Sequence, residues 1–156
     1  MRVVLGGVAG WVVSALLVVL ATAGTMLTLG ADGIFEPGTF RSTGTFEMVS
    51  TALGAFAALA GGVVAQLVGG RLATVMLVAV MLLGGTASGI AAWRAQESRT
   101  EPPQPRTSGV LSAELLTQAE RNSQRSAPYL FGMPVAGALG ALAGAAAIAR
   151  LTRRPA

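Results

Sequence analysis

Four stretches of the chain, residues 3–29, 48–68, 72–93 and 130–149, contain no Asp, Glu, Lys or Arg. A hydrocarbon core about 30 Å thick is crossed by about 20 apolar helical residues, so each of the four is long enough to span a bilayer. Within lipid, backbone N–H and C=O groups find no water, which leaves helices and closed barrels as the only spanning structures. The runs lack the two-residue alternation of barrel strands. The expected fold is therefore all-α: a polytopic membrane protein forming a single four-transmembrane-helix bundle over 1–156. Segments 30–47 and 94–129 connect the helices on one side, and the Gly69-Gly70-Arg71 turn connects them on the other. A content of 53% hydrophobic against 12% charged residues departs from soluble domains in the same direction.

With these spans, the charges sort into two groups. Arg2, Arg71, Arg150, Arg153 and Arg154 share one side, which carries no acid. All seven acids and the remaining arginines lie in the two long connections. Arginine enrichment beside short connections marks the cytoplasmic side. Both termini are therefore expected in the cytoplasm and both long connections outside. Ala21-Thr22-Ala23 offers a competing reading, a cleavage site behind a signal peptide. The apolar run from Val3 exceeds the usual h-region of about 7–15 residues, which favours a retained helix. Arg150, Arg153 and Arg154 are also placed to meet anionic lipid headgroups.

Several chemistries are excluded by residue type. Cysteine and histidine are absent, which removes disulfides, thiolate nucleophiles, imidazole relays and the common zinc sites. The net charge of +4 comes from scattered arginines with no basic stripe and interleaved aromatics, so nucleic acid is not an expected partner. No nucleophile, base and orienting group are gathered, and no catalytic, cofactor or metal site is expected. The spans hold no ionisable group of the kind a proton or ion pathway keeps. Gln66 is their most polar residue, and a hydrogen bond between helices or a reach toward the interface accounts for it better than transport does.

In the first connection, Phe35, Phe40 and Phe46 are expected as interfacial anchors along the membrane surface. In the second, prolines 102, 103 and 105 make a tether of 97–109. Residues 112–122 then read as a short amphipathic helix, capped by Ser112, with Glu114 in its first turn, Arg121 in its last, and Leu111, Leu115 and Ala119 along one side. Docking of that helix on the chain itself is favoured over capture of a partner.

Projected at 100° per residue, the second run separates Gly54, Ala58, Gly61 and Gly62 from Phe56, Leu59 and Val63. The fourth separates Gly137, Ala141 and Gly144 from Val135, Leu139 and Leu142. Gly6 with Gly10 and Gly85 with Gly89 add small pairs to the first and third. Small residues let helix backbones approach in lipid, so these positions form the expected packing faces of a glycine-rich bundle. GAFAALAG at 54–61 and GALGALAG at 137–144 match at six of eight positions and would lie parallel.

With GVAGWVVSALLVVL, ALGAFAALAGGVVAQLVGGR and PVAGALGALAGAAAIARL in its helices, the chain resembles uncharacterised small four-helix inner-membrane proteins of bacteria. The resemblance implies the inner membrane and no assigned activity. Small multidrug exporters also have four short helices but depend on a glutamate in the first, and residues 3–29 have no acid. The expected role is a non-catalytic accessory or structural component. Its partners are the lipid bilayer and another copy or a second membrane protein. The alternative is a homo-oligomeric pore or carrier for a small neutral or apolar solute.

Overall fold

A computed structural model of the chain describes residues 1–99, 106 and 112–152. Four helices follow in order: α1 (Arg2–Ile34), α2 (Gly44–Glu97), α3 (Ala113–Asn122) and α4 (Ala127–Thr152). Among the described residues the chain is all-helical, and α1, α2 and α4 are long and apolar enough to cross a membrane. The expected runs 48–68 and 72–93 both belong to α2.

Helix α2 is not straight. At Gly70 the backbone takes φ 71° and ψ −163°, a conformation open only to glycine. Its consequence is visible on both neighbours. Gly10 of α1 packs against Gly61 and Ala65 and also against Leu77. Gly54 faces Met133 of α4, and Gly85 faces the adjacent Pro134. In a straight helix residues 54 and 85 would stand about 46 Å apart. The helix therefore folds back at Gly70 into two antiparallel arms. A second glycine, Gly30 at φ 62°, breaks α1 one turn before its end and redirects 31–34.

Helices α1 and α4 pack on the α2 hairpin and, among the described residues, not on each other. Two buried clusters result. One lies between the long helices and is built of Ala58, Ala65, Ala73, Leu77 and Ala141. The other sits at the end of the bundle away from Gly70, where Ala31, Ile34, Phe35, Phe40 and Phe46 meet Leu115 and Ala119 of α3. Large apolar side chains along the rods point outward instead: Leu20 is 67% exposed, Phe56 70% and Leu83 74%. An apolar surface of that extent is foreign to soluble monomers.

Candidate functional site

The small residues of the helices mark where backbones touch. A methyl group added at Gly6 would lie 2.7 Å from the Gly69 nitrogen, and one at Gly10 2.6 Å from the Gly61 carbonyl oxygen. Gly61 in turn faces the Gly10 carbonyl and the Ser14 hydroxyl. Gly62 abuts the Ala141 carbonyl, and Gly144 abuts the Leu59 carbonyl. Gly85 would meet Pro134 Cγ at 2.6 Å and Gly89 the Leu130 oxygen at 3.0 Å. Gly54 is looser, 3.3 Å from Met133 Cε, and Gly137 has only ordinary contacts, 4.0 Å to Ala58 and 3.9 Å to Met81.

Gly140 against the Ala55 carbonyl and Gly69 against the Arg2 carbonyl are equally close, and neither was among the expected positions. Gly140 heads a G-x-x-x-G with Gly144 that was open to view, at the edge of the projected face. Contacts of 55 with 140 and of 59 with 144 climb both helices in one direction. The two octapeptides thus run parallel, side by side.

The basic residues gather as their spacing suggested. The Arg2 carbonyl lies against Gly69, which puts the start of α1 at the Gly70 turn beside Arg71. Arg150 is exposed near the end of α4, which runs parallel to the first arm toward the same turn. Arg153 and Arg154 lie outside the described residues. Gln66 accepts a hydrogen bond from Thr74 Oγ1 at 3.1 Å, tying the two arms together beside the turn.

At the opposite end the three phenylalanines depart from expectation. They do not lie along a membrane surface; Phe40 is 1% exposed, and Phe35 meets it edge to face at 5.6 Å between ring centres. The turn at Gly30 and the lid of α3 enclose them, because exposed aromatic surface is driven out of water. Ser112 accepts from the Leu115 N–H at 3.1 Å and starts α3 as its sequence indicated. Leu115 and Ala119 then turn inward onto the phenylalanines, so that face of α3 is occupied by its own chain. Of the expected tether 97–109, Glu97 instead ends α2 and Ser98 caps it. Residues 100–105 and 107–111, Leu111 included, lie outside the described residues, whereas the Arg106 guanidinium pairs with Asp32 and its N–H reaches the Gly38 carbonyl at 3.0 Å.

Glu47 closes this cap. It stands on the first turn of α2, whose N-cap is Thr43, with the Phe46 N–H donating to the Thr43 hydroxyl at 3.2 Å. The Ser42 hydroxyl donates to Glu47 Oε1, the Ser126 N–H donates to the same oxygen at 2.9 Å, and the Ser126 hydroxyl donates to Oε2. One carboxylate thereby clasps the first connection, α2 and the entry to α4. Burial pushes its pKa up, but the hydrogen bonds from Ser126 and Ser42 and the Arg125 charge outweigh this and hold it below the ordinary value. Such a carboxylate is a weak general base, poorly suited to activating either serine. Glu36, the other acid of the connection, pairs instead with Arg41 at 3.8 Å.

Beside the clasp an open groove of about 540 Å³ runs between the first arm of α2 and α4. Glu47, Ser126 and Tyr129 line its head, and Met48, Ala52, Ala55 and Ala136 line its length. The Arg125 guanidinium lies 5.6 Å from the centre of the Tyr129 ring. Among the described residues no three acids gather as metal ligands.

Fold and site together define, among the described residues, an all-helical protein with three helices long and apolar enough to cross a membrane and a cap folded over one end. No family model matches the chain, and no curated protein or solved structure is similar to it.

Proposed function

We propose that the chain is a four-pass integral protein of a bacterial inner membrane, both termini cytoplasmic, acting as a non-catalytic accessory or structural component that holds its cap on the outer surface. The observation that carries this reading is the change of core along the bundle axis. Between the rods the buried residues are mostly alanine and glycine, with Leu77 as the one large side chain of the cluster there, the solution lipid favours because apolar bulk gains nothing there by leaving the solvent. In the cap they are phenylalanine, isoleucine and leucine, which only water drives together. Two solvents therefore account for one chain, with Glu47 near the boundary. The arginine-rich turn at the far end supports a cytoplasmic assignment for that end. Backbone-to-backbone packing of α2 with α4 weighs against a conduit within one copy.

Single cysteines test the topology without background, since the chain has none of its own. Thr39, exposed on the cap, is the outer labelling position, since neighbouring Ser42 is held by Glu47. In intact cells Thr39→Cys should react with an impermeant maleimide and Thr152→Cys should not; the reverse pattern overturns the orientation. For the role, full-length protein in nanodiscs should run as a stoichiometric complex that is lost when 99–111 is replaced by a glycine-serine linker. A lone monomer, or liposomes that pass a small neutral solute, would reject it.

A further inference from the structure

We propose that the groove between the first arm of α2 and α4 is a binding site for one phospholipid whose headgroup carries both a phosphate and a primary ammonium. The inference rests on the membrane reading above. The groove opens sideways, with Met48 at its rim 76% exposed, so its natural occupant is whatever surrounds the rods. Its volume falls in the ordinary range of ligand sites, about 300–1,000 Å³. Its polarity is graded along its length. Ala52, Ala55 and Ala136 line an apolar channel for an acyl chain together with Thr51, whose hydroxyl is turned back onto the Glu47 carbonyl at 2.8 Å, and the charged groups stand at the end where the cap begins.

The head of the groove is lined by the Glu47 carboxylate, and Arg125, next to the lining residue Ser126 and within reach of the Glu47 charge, stands beside it with the opposite sign. Glu47 Oε1 already accepts from Ser42 and from the Ser126 N–H, whereas among the described residues Oε2 accepts only from the Ser126 hydroxyl. A carboxylate oxygen takes two donors, so Oε2 retains room for an ammonium N–H. Arg125 is exposed, and its backbone N–H is fixed at 3.1 Å to Gln96 Oε1 while its guanidinium rests over Tyr129. The guanidinium fork suits a phosphate. Anion and cation side by side match a zwitterionic headgroup; a purely anionic headgroup would meet Glu47, and a trimethylated one has no N–H to donate.

Native mass spectrometry of the full-length protein in the presence of phosphatidylethanolamine, phosphatidylcholine or phosphatidylglycerol tests this. One phosphatidylethanolamine should be retained about tenfold more strongly than either competitor, the effect of one charge-assisted hydrogen bond. Ala52→Phe, at an exposed position, should abolish retention of all three, and Arg125→Gln should weaken it with helicity unchanged. Glu47→Gln should erase the preference for the ammonium lipid. Equal retention of the three lipids, retention unaffected by Ala52→Phe, or a disulfide-linked dimer through Ala52→Cys would overturn the proposal. If labelling at Thr39 and Thr152 contradicts a spanning chain, the membrane reading falls; if that labelling holds and headgroup preference is absent, only the lipid site falls.

Discussion

Gly62 and Gly137 are both small residues on projected packing faces, and their neighbours separate them. A methyl on Gly62 runs into the Ala141 carbonyl, a backbone atom that moves only if α4 moves. Gly62→Ala should therefore destabilise the bundle by about 1–3 kcal/mol, as overpacking does. Gly137→Ala meets only ordinary contacts and should be neutral, or stabilising by about 0.4–1 kcal/mol through the unfolded chain. Reversible unfolding in mixed detergent micelles measures both, and equal destabilisation would contradict the packing described. Glu47 is legible only in part at this scale. Its capping position near Thr43 could be read locally, but its bonds to Ser126 join residues 79 apart, and no local pattern predicts that pairing. Its lowered pKa has a consequence with a definite sign. The carboxylate stabilises the cap fully above its unfolded value, near 4.5, and that stabilisation is lost as pH falls through the lower folded value. Cap protection measured by hydrogen exchange should fall on that acid limb, and Glu47→Gln should flatten it.

At the scale of elements, apolar runs placed the helices because lipid imposes a length, and Ser112 placed α3 because a cap is a local hydrogen bond. What the runs did not convey was how helices continue past the membrane zone. Helix α1 goes on to Ile34 and α2 begins at Gly44, since beyond the apolar runs the stop is set by Gly30, Thr43 and contacts within the cap. The phenylalanines illustrate the same limit. Their spacing fits a loop on a surface as well as a buried cluster, and only the arrival of α3, some seventy residues later, decides between them. The reversal in α2 depends on one residue in a conformation side chains avoid. Gly70→Ala should cost about 1–3 kcal/mol through backbone strain alone, because nothing stands near the added methyl. Gly69→Ala should cost comparably through its clash with the Arg2 carbonyl and Ala73. Shortening of the α1 N-terminus to remove Arg2 should relieve part of the second penalty and none of the first, a difference that unfolding measurements on the paired variants resolve.

The molecule as a whole has two interiors of different composition, and under the membrane reading proposed above they should fail separately. The bundle interior is mainly backbone contact among alanine and glycine around Leu77, less sensitive to agents that weaken the hydrophobic effect in water. The cap interior is aromatic and aliphatic burial, which urea weakens directly. Among the described residues Phe40 is the largest of the fully buried side chains, and its nearest counterpart between the rods is the smaller Leu77. Phe40→Ala should therefore cost about 3–5 kcal/mol, all of it in the cap. In nanodiscs with moderate urea, exchange should accelerate in 31–47 and 112–126, while the amides of 54–65 and 137–145 stay protected. Thr152→Cys labelling should not change. If the variant instead releases the helices together with the cap, the two clusters form one cooperative unit. The chain would then need the cap to hold its helices, reversing the dependence inferred from the two kinds of core.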